Sequence, residues 1–268
     1  MAIPTLSSRD KCDTRHVLVR LHEEQSFHDR QAHARARFFR QFPERFQIGA
    51  DEYLNHEPWI RPALAALGAV RGRRVLDFGC GHGMASVVLA GRGARVTAFD
   101  ISGGYLEEAR LRARQQGARV DFVKANGEYL PFADATFDGI WGNAVLHHLD
   151  IDRAGREIRR ILRPDGVAVF CEPWGGNPLL NWARRYWPAR SAKHTPDEAP
   201  LAWRDVEKLR AIFARVKLDG YQLLACAGRV LGCGRMAKAL EWCDGKLLAA
   251  LPYARRLCRY VVIQMTNA

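Results

Sequence analysis

Residues 75–83 read V-L-D-F-G-C-G-H-G. An apolar run takes in Asp77 and then gives way to glycine at three alternate positions, Gly79, Gly81 and Gly83. The run reads as a buried strand and the glycines as the turn that leaves it. Without a Cβ, glycine lets the chain turn tightly and lets a ligand approach the main chain. In an open parallel sheet, ligands bind beyond the carboxyl ends of the strands, where the strand order reverses. The helix that follows such a turn points its first amides at the ligand. The spacing is G-x-G-x-G rather than the G-x-G-x-x-G of dinucleotide-binding turns.

Outward from this stretch, short apolar runs alternate with helix-length segments. R-V-L-D-F (74–78), R-V-T-A-F-D (95–100), V-D-F-V-K-A (120–125), D-G-I-W-G (138–142) and V-A-V-F-C (167–171) are predicted strands. Helices are predicted at 84–90, 105–114 and 152–162, the last followed by a turn at R-P-D-G (163–166). Continuous apolar strands separated by helices predict a doubly wound, mostly parallel sheet with helices on both faces. Two late strands, 216–226 and 259–265, bring the expected total to seven, in a Rossmann-like α/β fold. Residues 1–70 read as a helical N-terminal cap and 71–268 as the main domain, with helical inserts at 175–210 and 230–258.

Composition limits the function classes. The chain has 268 residues, 48% hydrophobic and 26% charged, which suits a folded domain with a sizeable core. No apolar stretch reaches the length of about 18 residues that a membrane span needs, and the N-terminus lacks the apolar core of a signal peptide. Seven cysteines, none spaced C-x-x-C, point to a reduced cytoplasmic setting and give no zinc-ligand spacing; no metal is expected. A net charge of +12 leaves three partners open: nucleic acid, an anionic membrane surface, or water alone.

Further polar residues follow each strand. Asp100 ends the second strand, where a carboxylate can accept hydrogen bonds from both hydroxyls of a ribose; Ser102 can cap the next helix. A-N-G-E-Y-L-P-F (125–132) follows the third strand and G-N-A-V-L-H-H-L (142–149) the fourth. These four segments, in this order over 74–172, resemble the class I S-adenosylmethionine-dependent methyltransferases, and within them the small-molecule group typified by quinone and sterol methylases.

The resemblance implies S-adenosyl-L-methionine as cofactor and methyl transfer as the reaction. It implies that Gly79, Gly81 and Gly83, with Cys80 among them, pass beneath the methionine part. Asp77 orders the loop on the ammonium side, and Asp100 holds the ribose. Asn126, where the family often has Asp, accepts from the adenine amino group through its amide oxygen. Gly127 and Glu128 belong to the same loop, with the Gly127 N–H at the ring edge. Ile101 and Leu130 are candidate adenine walls, and Asn143 lies under the sulfonium end.

A base is needed only if the acceptor must lose a proton. His147 and His148 after the fourth strand and Glu172 after the fifth are candidates, as is His28 if the N-terminal helix folds over the site; His82 is expected to be exposed. Asn177-Pro178 is a helix start, after which Leu179, Leu180, Trp182, Ala183, Tyr186 and Trp187 fall on one face and Arg184 and Arg185 on the other, with Arg190 and Lys193 beyond. T-P-D-E (195–198) has capping-box spacing. Trp174, Trp182, Trp187 and Trp203 all fall in this stretch, which reads as a lid over the cofactor end. Met236, Leu240, Cys243, Leu247, Leu248 and Leu251 form a second apolar stripe beside Arg235, Lys238, Lys246, Arg255 and Arg256. Two apolar, cationic inserts predict a small lipophilic acceptor and peripheral contact with an anionic membrane.

Two alternatives remain open. The charge invites a nucleic-acid methyltransferase, but the fourth strand is not followed by the Asn/Asp-Pro-Pro-aromatic run of enzymes that methylate exocyclic base nitrogens. The chain could also bind the cofactor for other chemistry.

Overall fold

Every strand expected from the sequence forms in the computed structural model, which describes residues 8–47, 49–186, 199–226 and 234–267. β1 (Arg74–Phe78), β2 (Arg95–Asp100), β3 (Val120–Lys124), β4 (Phe137–Asn143), β5 (Leu162–Pro173), β6 (Arg215–Tyr221) and β7 (Tyr260–Thr266) join one sheet in the order β3-β2-β1-β4-β5-β7-β6. β1 to β5 run parallel. β7 lies antiparallel to both β5 and β6. The order reverses between β1 and β4, so the switch point falls where the glycine loop leaves β1.

Successive strand residues face opposite sides of a sheet, and the two faces have different covers. Val75, Trp141 and Val169 pack with Leu54 of α2 (Ala50–His56), Leu64 of α3 (Ile60–Ala66) and Leu89 of α4 (Met84–Gly91). Leu76, Ile140 and Phe170 pack on the other face with Ile158 of α6 (Ile151–Ile161) and Leu209 of α8 (Trp203–Ile212). Each fully buried Leu, Phe or Ile contributes about 1.5–3 kcal/mol. α2 and α3 are therefore bound into the sheet's own core, where Trp59 stacks on Tyr260 of β7 at 4.0 Å between ring centroids.

α1 (Ser8–Gln41) behaves differently: it crosses the carboxyl ends of the strands and packs on α5 (Gly103–Gln115). Its polar face is clamped there. Arg35 makes a two-pronged contact with Glu108 at 3.0 and 2.8 Å, and Asp29 accepts from Ser102 Oγ at 2.5 Å. Arg20 donates to the His148 carbonyl at 2.7 Å and pairs with Glu128.

Three local expectations are corrected. Residues 163–166, read as a turn, interrupt the start of β5: Leu162 pairs with Phe137 before the register shifts and resumes at Val167 opposite Gly139. The strand expected over 216–226 ends at Tyr221, because Gln222 turns with a φ of 61° and Asp244 captures the amides of Leu223, Leu224 and Ala225. Trp174 and Trp203 belong to the core, not to a lid. Their rings meet edge to face at 5.0 Å, and Trp174 Nε1 donates to the Arg256 carbonyl.

α7 (Pro178–Tyr186) begins where expected, with Asn177 Oδ1 accepting from the amides of Leu179 and Leu180 at 3.0 and 3.2 Å. Trp187, Arg190, Lys193 and the T-P-D-E stretch lie outside the described residues, as do the side chains of Ala183, Arg184 and Arg185. The second insert forms α9 (Gly234–Ala250) and a 3-10 turn, Pro252–Leu257; the side chains of Arg235, Met236 and Lys238 are outside the described set.

Candidate active site

A cavity of about 350 Å³ opens at the switch point, beyond the carboxyl ends of β1, β2 and β4. Its floor is the glycine loop. Gly79, Gly81 and Gly83 all take positive φ, at 67°, 49° and 80°, and each glycine has its own reason. A Cβ on Gly79 would lie 2.5 Å from Val145 Cγ2, so glycine there lets two loops touch. A Cβ on Gly81 would meet nothing within 4 Å, so its bare backbone faces open cavity. Gly83 does not line the cavity. It caps α4, and a Cβ would sit 2.7 Å from Ala109 of α5, which makes its task helix packing.

The acids of β1 and β2 are both buried. Asp100 accepts from the Gly81 amide at 2.8 Å through one oxygen and from the Ser102 amide at 2.9 Å through the other. It thus ties the first loop to the second while each oxygen keeps a lone pair. Burial raises its pKa despite those two amides. Asp77 receives the Ser86 hydroxyl of α4 at 2.5 Å; burial pushes its pKa up to about 7, against that hydrogen bond and with help from the Asp100 charge. Cys80 lines the cavity, and burial keeps its thiol protonated.

At the far end of the cavity, Ile101, Asn126 and Gly127 line the wall, whereas Leu130 is buried behind it. The amide oxygen of Asn126 already accepts from the Glu128 amide at 3.0 Å. Glu128 does not reach the cavity. Buried and paired with Arg20, it also accepts from the Asp150 amide at 2.9 Å, binding α1 to the loop after β4.

The histidines divide. His147 and Glu172, both expected as bases, are absent from the cavity wall. Glu172 is fully buried: one oxygen accepts from the Val145 and Leu146 amides at 3.0 and 2.9 Å, and the other holds His147 Nδ1 at 2.7 Å. This pair positions the loop after β4. His148 and His28 do line the cavity, with ring centroids 5.4 Å apart, and Asn143 lies nearby at the end of β4. His82, expected to be exposed, also lines it; burial and the neighbouring Arg35 push its pKa down to about 4, leaving it neutral.

Several contributors escaped the sequence reading. Leu21, Glu24 and Gln31 of α1 roof the cavity, and Tyr53, Tyr105 and Trp141 add aromatic walls. Arg112 is fully buried and joins α5, the glycine loop and the 43–46 turn through Glu108, the His82 carbonyl and the Phe46 carbonyl. The i, i+4 spacing of Glu24 and His28 was the one available signal for the roof. Among the described residues, none of the 175–210 insert lines the cavity.

A bare-backbone loop and a buried acid at the end of the adjacent strand, meeting at a switch point, define a nucleoside-cofactor-binding α/β domain. The match of residues 76–170 to a family model described as a methyltransferase domain narrows this class. The demethylmenaquinone methyltransferase of Thermobifida fusca is 35% identical over 177 residues, spanning 59% of this chain and 72% of that protein. The malonyl-[acyl-carrier protein] O-methyltransferase of Enterobacter lignolyticus is 40% identical over 130 residues, 47% of this chain and 50% of that one. The chain thus covers about half of some relatives, 48% of a Clavibacter sepedonicus demethylmenaquinone methyltransferase for example. In fold it is similar to the PH0226 protein of Pyrococcus horikoshii, with a TM-score of 0.57 and 18% identity over 87% of this chain and 99% of that one. The chain belongs to the class I S-adenosylmethionine-dependent methyltransferase family.

The cavity suits that cofactor on structural grounds. Asp100 offers free lone pairs to vicinal hydroxyls, the backbone at Gly81 is open, and Asp77 is a buried carboxylate that a ligand ammonium would keep ionised.

Proposed function

We propose that this chain transfers a methyl group from S-adenosyl-L-methionine to a small, lipophilic acceptor. One observation carries the reading: a single cavity brings Asp77, Gly81 and Asp100 together with Leu21, Glu24 and His28 of α1 and with Val145, His148 and Leu149 of the turn after β4. When bound, the cofactor supplies an electrophilic methyl group on a positively charged sulfur. The remaining work falls to the protein's own groups. Asp100 accepts from the ribose hydroxyls, Asp77 faces the amino-acid end, and Asn143 with the Gly79 backbone borders the sulfonium end. The roof keeps water out and holds the acceptor in line. Glu24, His28 and His148 also line the cavity, and one of them accepts the proton that a hydroxyl acceptor must lose.

Two features support a lipophilic acceptor. The cavity wall as a whole is largely apolar, and the Thermobifida fusca relative is named for demethylmenaquinone. Peripheral contact with an anionic membrane is part of the proposal. Leu179, Trp182 and Tyr186 of α7, with Trp242 and Tyr253 near the second insert, are exposed aromatic and aliphatic side chains. Arg256 stands over Tyr253 and Lys246 over Trp242. Asn177 donates to the Leu257 carbonyl at 2.7 Å and joins the two inserts into one surface. No described helix is long and apolar enough to cross a membrane.

The test pairs binding with turnover. Calorimetric titration with S-adenosylhomocysteine should show saturable binding to the native chain. Asp100→Ala should weaken it by about 10- to 100-fold, the loss of one or two charge-assisted hydrogen bonds. Methyl-labelled cofactor should pass its label to a component of a quinone-containing lipid extract. Tight binding without label transfer would leave a cofactor-binding protein, and transfer to RNA instead would revive the nucleic-acid alternative.

A further inference from the structure

Glu24 and His28 stand four residues apart on α1, so their side chains share one face of the helix. The turn after β4 brings His148 to the same place, and all three line the cavity. Their ligand atoms lie within 4.8 Å of one another. Glu24 Oε2 is 3.4 Å from His28 Nε2 and 3.3 Å from His148 Nδ1.

Those two distances are informative. A charged hydrogen bond between imidazole and carboxylate closes to about 2.7–2.9 Å, the length seen between His147 and Glu172 at 2.7 Å. Two ligands about 2.0–2.1 Å from a tetrahedral metal are separated by roughly 3.3 Å. Two of the cluster's three edges have the length of a coordination polyhedron's edge. Among the described residues, His148 Nδ1 is buried and makes no hydrogen bond. The support is rigid: Arg20 holds the His148 carbonyl and Glu128, and Asp29, one residue beyond His28, is bonded to Ser102 and the Gly104 amide.

We propose that Glu24, His28 and His148 bind one divalent metal ion of the zinc class and leave a coordination position open to the cavity, where it takes an anionic oxygen ligand. Two imidazoles and one carboxylate form a donor set that suits such an ion when a further position remains for an exogenous oxygen. The metal site stands on these three side chains alone. That the oxygen belongs to the methyl acceptor rests on the methyl-transfer reading. In that role the ion would favour the ionised form of an acceptor hydroxyl, and the two histidines would serve as its ligands rather than as bases.

The experiment uses the full chain after chelator treatment. Titration with Co²⁺ should give one equivalent bound per chain, with the visible absorption of a low-coordinate site, and Zn²⁺ should displace it. His28→Ala and His148→Ala should each weaken Co²⁺ binding about 100-fold, and Glu24→Gln should weaken it with the least disturbance of packing. Far-UV circular dichroism checks that each variant is folded. Acetohydroxamate, a small anionic oxygen chelator, should shift the spectrum of the Co²⁺ form. Absence of saturable Co²⁺ binding, or equal binding by the native chain and folded His148→Ala, would overturn the site. An unmoved spectrum with acetohydroxamate would overturn the open position. S-adenosylhomocysteine binding is measured in parallel: its presence without Co²⁺ binding removes the metal and keeps methyl transfer, and the converse removes methyl transfer and keeps the metal.

Discussion

At the residue scale, two glycines of one loop have separable tasks. Gly79→Ala adds strain at φ 67° and drives a methyl group to 2.5 Å from Val145. It should therefore cost stability beyond the roughly 1–2 kcal/mol of a left-handed alanine, read as a lowered Tm. Gly81→Ala meets no atom within 4 Å, so it should cost only the backbone strain while still impairing S-adenosylhomocysteine binding. Equal thermal losses in the two variants would contradict the assignment. Asp77 gives a pH signature. Its folded pKa, about 7, lies above its ordinary value of 3.8. The folded state therefore binds the extra proton, and stability from this group is full below about pH 4 and is lost as pH rises to about 7. Asp77→Asn should become progressively more stable relative to the native chain across that interval in melts without cofactor. A constant difference would show that the carboxyl does not titrate there. Both aspartates and the glycines were legible in the sequence because each is fixed by its position at a strand end. The burial that raises the Asp77 pKa was not, since it depends on what α4 and the second strand place around it.

At the element scale, the turn after β4 is held from behind. Glu172, at the end of β5, satisfies two of the turn's amides and His147 at once. Glu172→Ala leaves those donors buried and unpaired, which should cost about 3 kcal/mol or more, a drop in Tm on the order of 10 °C. Glu172→Gln, which keeps one acceptor oxygen, should lose less. A native-like Tm in Glu172→Ala would refute the positioning role. From sequence alone, Glu172 and His147 have the same credentials as His148: polar residues at the carboxyl ends of strands. The turn that carries the two histidines takes its shape from the left-handed Ala144, with φ 55°, and from the close approach of Val145 to Gly79.

At the scale of the whole molecule, the net charge of +12 and the joined inserts form one test. Binding to phosphatidylglycerol vesicles should fall steeply as salt rises through the range where the Debye length shrinks below about 10 Å, and Trp182→Ser, at a side chain 59% exposed, should weaken it further. Equal affinity for neutral vesicles would remove the electrostatic part of the proposal. The cover of the site also emerges only at this scale. The insert at 175–210 has the composition of a lid, and among the described residues the roof is α1, far from it in sequence. The strand pattern, the glycine loop and the acids at 77 and 100 were determined by the sequence by itself, because continuous apolar runs and strand-end turns are local properties of a few consecutive residues. The grouping of Glu24 and His28 with His148, the withdrawal of His147 and Glu172 from the cavity, and the return of Trp174 and Trp203 to the core were decided only by the tertiary structure. Each depends on the angle at which distant elements cross, and that angle is set by the packing of two whole faces of the sheet rather than by any short stretch of chain.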